Sequence, residues 1–246
     1  HGAFFGLGAV VAASVLPLDL VSTAAAKENR GALLRQLDDY VIPRLSSIDA
    51  PVLAVIGGST GAGKSTLVNS LLRREVSRAG VIRPTTTSPV LIHHAQDAHW
   101  FTDQRILPGL SRVTGDASAP DAEGTVRLAA SEELPAGMAL LDAPDIDSVV
   151  AANRGLSRQL LAAADLWLFV TTAARYADAV PWELLRQASD RGTAVAIVLN
   201  RVPPEVMGQV RPHLVDMLRE QGLGTAPVFP GPETALTGAG LIPVAD

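Results

Sequence analysis

Val52-Leu53-Ala54-Val55-Ile56-Gly57-Gly58-Ser59-Thr60-Gly61-Ala62-Gly63-Lys64-Ser65 runs a short apolar stretch straight into a glycine-rich turn that ends on lysine and serine. The apolar stretch, introduced by Pro51, has β-branched members and no alternation, which predicts a strand buried on both faces. Gly58 to Ser65 fits the spacing G-x-x-x-x-G-K-[ST], and the residues after it predict a helix over Thr66–Arg74 with Leu67, Leu71 and Leu72 facing inward. Strand, loop and helix in that order form a cradle for a polyphosphate. Glycines let main-chain N–H groups curl round the phosphates, and the helix N-terminus adds positive potential. Lys64 reaches the outer phosphates, the Ser65 hydroxyl is placed to ligate Mg²⁺, and Gly58 through Thr66 are expected to line the nucleotide.

A divalent cation on such a loop needs a carboxylate from the end of a nearby strand. Met138-Ala139-Leu140-Leu141 reads as that strand and Asp142 as that acid, followed by the sharp exit Ala143-Pro144-Asp145. Further strands are predicted at Val90–Ile92, Leu166–Val170 and Ala194–Leu199, and a last short one at Pro227–Pro230. Helices are predicted at Leu156–Ala164, Pro181–Arg191 and Pro204–Gln221. The alternation of strand and helix predicts an α/β fold, a doubly wound and mostly parallel sheet whose ligands sit beyond the strand C-termini. Between His93 and Gly137 the breakers Pro108, Gly109, Gly115, Pro120 and Gly124 predict loops, with a hairpin strand near Val126–Ala130. Ser77–Ser88, rich in Arg, Pro and Thr, reads as an exposed loop.

Ahead of the first strand, Ser22–Leu45 carries Leu33, Leu34, Leu37, Tyr40 and Val41 at helical spacing, so residues 1–50 are expected as a helical segment and 51–246 as the nucleotide-binding domain. Ala3–Val15 is almost wholly apolar, yet Gly6, Gly8, Ser14, Pro17 and Asp19 interrupt or end it short of the roughly 20 residues a membrane span needs. A packed helix is the expectation. The chain opens on His1, so its natural start is expected to lie upstream.

Bulk composition agrees with this picture. With 246 residues, of which 48% are apolar and only 4% aromatic, the chain is long enough for one generous domain cored by Ala, Val and Leu. A net charge of −5 argues against a general nucleic-acid binder, since phosphate neutralisation needs a basic face. The lack of cysteine removes disulfides, thiolate metal sites and a cysteine nucleophile, and it agrees with a reducing compartment, with cytoplasm as the default.

Pro51–Pro230 resembles the translation-factor-related class of P-loop GTPases, most closely its bacterial dynamin-like branch, and the helix ahead of the first strand fits the same resemblance. The resemblance implies GTP or GDP with Mg²⁺ as ligands. It also implies a Thr after the first helix that ligates Mg²⁺ and senses the γ-phosphate. Arg83-Pro84-Thr85-Thr86-Thr87-Ser88-Pro89 occupies that place; Thr86 is the choice, and Thr85 and Thr87 fit the spacing as well. The family's D-x-P-G is here Asp142-Ala143-Pro144-Asp145. Asp145 can still offer its N–H to the γ-phosphate, but it brings a negative charge toward the triphosphate and stands where glycine's backbone freedom is usual.

The family's base-reading N-K-x-D is here Asn200-Arg201-Val202-Pro203. Asn200 matches, Arg201 can stack on the base as the lysine stem does, and Pro203 replaces the acid that selects guanine over adenine. Glu205 is the nearby substitute, and Pro230-Gly231-Pro232-Glu233 matches the family's last base-contacting loop only weakly. In hydrolysis the resemblance implies in-line attack by water, with Lys64, Thr86 and Thr60 as the catalytic set. Gly61 offers no side chain and Thr60 is short, so slow intrinsic turnover is expected, accelerated when a second copy or partner completes the site. Arg78, Arg83 and Arg175 are the candidate inserted cations. His93, His94 and His99 lack acids at ligand spacing and are expected in solvent or turn positions.

Three functions follow from these residues. The first is a slow, assembly-driven GTPase that self-associates through this domain and touches membrane through parts outside this chain. The second is a nucleotide-binding module with little hydrolysis. The third is an ATP-specific enzyme on the same loop.

Overall fold

The computed structural model describes residues 49–77, 88–102, 106–107, 109–115, 124–145, 156, 159–160 and 163–243. The chain divides between Ala50 and Pro51, and among the described residues every regular element lies in the second unit. The helix expected over Ser22–Leu45 and the apolar run Ala3–Val15 lie outside the described residues.

Among the described residues eight strands form one sheet in the order β3-β4-β2-β5-β1-β6-β7-β8. They are β1 (Val52–Gly58), β2 (Val90–His93), β3 (Ser111–Thr114), β4 (Thr125–Ala130), β5 (Met138–Asp142), β6 (Leu166–Thr171), β7 (Ala194–Val202) and β8 (Val228–Pro232). Strands β5, β1, β6, β7 and β8 run parallel, and β2 meets β5 antiparallel. β4 is parallel to both β2 and β3, so the expected hairpin at Val126–Ala130 is corrected: the strand exists, but it pairs in parallel across the sheet. The helices are α1 (Lys64–Leu71), α2 (Ala98–Phe101), α3 (Ala179–Asp190) and α4 (Pro204–Glu220). The helix expected at Leu156–Ala164 is described only at 156, 159–160 and 163–164, of which all but 164 are helical.

Alternation along β1 explains why both faces of the sheet are covered. Leu53 and Val55 pack with Leu141, Trp167, Phe169 and Ile197 on one side. Ala54 and Ile56 pack with Val68 and Leu72 from the α1 region, and with Ile92 and Val170, on the other. Each Leu, Ile, Val or Phe side chain so buried contributes about 1.5–3 kcal/mol relative to exposure, so the central strands are a firm platform for whatever hangs from their ends. Leu71 is corrected: it is 53% exposed, because the helical period brings Lys64, Val68 and Leu72 under the sheet and turns position 71 outward.

Register puts the C-terminal ends of β1, β5, β6 and β7 on one edge, with Ile56 beside Asp142, Gly58 beside Val170 and Thr171 beside Leu199. Among the described residues no helix is long and apolar enough to cross a membrane.

Candidate functional site

β1 ends where it does because Gly58 lies against β6. A Cβ there would stand 2.0 Å from the Val170 carbonyl oxygen, so only glycine lets the chain turn so close to its neighbour. The loop then closes through Gly63, whose φ of 89° is left-handed and whose missing Cβ makes room for the Asn200 amide. α1 starts at Lys64 with no side-chain cap on its N-terminus, the end of a helix whose N–H groups lack intrahelical partners.

Lys64 is buried, and its ammonium donates to three oxygens: Gly58 O at 3.1 Å, Ser59 O at 3.2 Å and Asp145 Oδ1 at 2.5 Å. The next residue, Ser65, donates its hydroxyl to Asp142 Oδ2 at 2.7 Å. Ser77 Oγ donates to the same carboxylate oxygen at 2.5 Å. Asp142 Oδ1 is fully buried and has no hydrogen-bond partner among the described residues. Burial pushes the Asp142 carboxyl above its ordinary value, against the two serine hydroxyls and the Lys64 charge, which pull it down; the neighbouring Asp145 charge adds to the rise. A buried acceptor oxygen with nothing bonded to it, next to a serine hydroxyl at the start of a helix, has the chemistry of a hard-cation site.

At the other end of the loop, β7 runs on to Val202, further than the predicted Leu199, so Asn200 and Arg201 lie within the strand. Successive strand residues normally point to opposite faces, yet both reach the loop. Asn200 Nδ2 donates to Ala62 O at 2.9 Å, and Arg201 Nη1 donates to Gly61 O at 3.2 Å. The pairing with β8 shifts between Leu199 and Val202, and Arg201 adopts a left-handed φ of 54°; this bulge re-aims the two side chains. Gly231 of β8 packs on Asn200, where a Cβ would fall 2.9 Å from Oδ1. Pro203 stands at the N-cap of α4, and Glu205 is exposed in its first turn.

The structure thus brings Gly58, Ser59, Gly61, Ala62, Gly63, Lys64, Ser65, Asp142, Asp145, Asn200 and Arg201 together. Thr60 is half-buried in the same loop, and Thr66 is half-buried in α1. Thr85, Thr86 and Thr87, like Arg78 and Arg83, lie outside the described residues. Arg175 stands 3.8 Å from Asp178.

Ser77 was missed. The loop Ser77–Ser88 was expected to be exposed, but its two ends are buried. Asn69 explains the first end: its Oδ1 accepts from the amides of Val76 and Ser77 at 2.9 Å each, and its Nδ2 donates to Ser77 O at 2.7 Å. The only signal in the sequence was a polar residue on the buried side of α1. His93 is also corrected from a solvent or turn position: it is buried and stacks on Phe101, while His94 contacts Glu132 at 2.9 Å. Among the described residues no cluster of three or more His, Asp or Glu is arranged to hold a metal.

Residues 53–202 match the profile of the Dynamin family. A probable transmembrane GTPase, FZO-like and chloroplastic, from Arabidopsis thaliana is 25% identical over 173 residues, which cover 70% of this chain and 17% of that protein. Among solved structures, an oligomerised bacterial dynamin pair, described as providing a mechanism for long-range sensing and tethering of membranes, superposes with a TM-score of 0.54. It is 13% identical, and the match covers 94% of this chain and 46% of that one. The chain therefore spans less than half the length of either relative.

Proposed function

Because this chain belongs to the dynamin family, we propose that residues 51–246 form an Mg²⁺-dependent GTPase domain, slow in isolation and driven by assembly. One observation carries the reading: Lys64, Ser65 and Asp142 converge at the C-terminal edge of the sheet, with a buried Asp142 oxygen unspent.

The loop amides of Gly58–Lys64 and the Lys64 ammonium bind the phosphates, while Ser65 Oγ and Asp142 hold the cation. Mg²⁺ held there would supply positive charge against the polyphosphate. Thr86 completes the set from a segment outside the described residues. The reaction demands no general base; Lys64 and the loop amides stabilise charge as water attacks in line, and Thr60 is the loop side chain nearest in type to a water-positioning group. Asn200 and Arg201 recognise the base. GTP and GDP are the ligands, and a second copy of this domain is the partner that accelerates turnover. Membrane contact belongs to parts of the protein beyond this chain, and the protein works in the cytoplasm, at a membrane surface; residues 1–50 are a separate segment ahead of the nucleotide-binding domain. The net charge of −5 speaks against a nucleic-acid partner.

A second reading, a base-tolerant binding module with little hydrolysis, is favoured by Asp145 on Lys64 and by Pro203 where an acid would read guanine. Phosphate release from GTP, followed with and without Mg²⁺ over a range of protein concentration, separates the two. The proposal expects turnover that needs Mg²⁺, is on the order of 10⁻² s⁻¹ or slower when dilute, and rises per molecule with concentration. Turnover of tens per second at high dilution, or none at any concentration, contradicts it.

A further inference from the structure

A lysine ammonium has three N–H donors and no acceptor. All three are spent here, on Gly58 O, Ser59 O and Asp145 Oδ1. A phosphate oxygen can reach Lys64 only if one of these leaves. The two carbonyls belong to a loop fixed at Gly58 by close packing on β6. Asp145 is the replaceable partner: its side chain is 26% exposed, against 6% for Lys64, and it sits on the chain that has just left β5 through Pro144.

From this geometry we propose that Asp145 is a phosphate surrogate, an internal carboxylate that occupies Lys64 in the absence of triphosphate and sets the domain's preference for GDP over GTP. The inference rests on the GTP-binding reading above. A diphosphate leaves the outermost position of the site vacant, so the carboxylate can stay on the ammonium beside it. A triphosphate brings its terminal charge to that position, and two anions at contact distance repel in a site with little water. GTP must therefore expel Asp145 and forfeit a short charge-assisted hydrogen bond, whereas GDP can rest on the loop amides while Asp145 keeps Lys64. Backbone strain is not the cause. Asp145 does not adopt a left-handed φ, so its effect lies in its charge and not in the loss of glycine's freedom.

The charge is testable apart from the shape. Calorimetric titration of Mg²⁺·GTP and Mg²⁺·GDP into the wild-type chain, Asp145→Asn and Asp145→Gly reads the ratio of the two affinities directly. Both variants are expected to shift that ratio toward GTP by on the order of tenfold, chiefly through tighter GTP binding. The isosteric Asn keeps the side chain's size while removing its charge, and unfolding midpoints of the ligand-free proteins verify that each is folded. A wild-type chain that binds both nucleotides, with a ratio unmoved or lowered in both variants, overturns the surrogate role alone. Failure of all three proteins to bind either nucleotide overturns it together with the GTP-binding reading.

Discussion

Asp142 shows what a single buried group contributes before any ligand arrives. Its ordinary value is 3.8, and in the folded protein burial holds it higher. The folded chain therefore keeps its proton at a pH where the unfolded chain has lost it. Protonation favours the folded state fully below 3.8, and that advantage is lost as pH rises through the raised folded value. Asp142→Asn is neutral throughout, so without Mg²⁺ its urea midpoint is expected to exceed wild type at neutral pH, with the gap closing as pH falls toward 3.8. A gap of the same size at every pH contradicts the burial account. Gly58–Ser65 and Asp142 were legible in the sequence, because a loop of fixed spacing and an acid at a strand end carry their chemistry locally. Ser77 was not, since Asn69 brings it in through contacts with the chain beyond the helix. The replacement of glycine by Asp145 was visible, but its pairing with a lysine 81 residues away was not.

Elements place these residues, and the contact of β1 with β6 is the one on which the loop hangs. Gly58→Ala forces a methyl group to within 2.0 Å of the Val170 carbonyl oxygen, a backbone atom that cannot swing aside. Chemical denaturation is expected to show a loss of about 3 kcal/mol or more, well above the usual surface change; a loss below about 0.5 kcal/mol would mean that the strand ends are looser than described. The buried central strands were readable from their apolar runs. β3 was not: its residues Ser111–Thr114 are mostly exposed at the sheet edge, so no run of apolar residues marks it. The end of β7 was set too early, at Leu199, because Asn200 and Arg201 look like loop residues, and a bulge is what keeps them in the strand. The parallel pairing of β4 depends on the far ends of long connections, which pattern alone does not fix.

At the scale of the described domain, one edge of a mostly parallel sheet gathers the loop Gly58–Ser65, Asp142 and Asn200 together, and the family match covers the stretch from the first strand to the end of β7. What the site lacks is also clear at this scale. No acid stands at Pro203, so on the proposed reading selectivity for guanine would fall to Asn200, Arg201 and the shape left by Gly231. The central claim, that main-chain amides and Lys64 hold a polyphosphate, is tested most directly by calorimetric titration of Mg²⁺·GTP into the wild-type chain and into Lys64→Ala. The account predicts saturable binding to the wild type and an affinity lower by about 100-fold or more in the variant, as expected for removing a buried charge-assisted contact. An equal dissociation constant for the two proteins would contradict it.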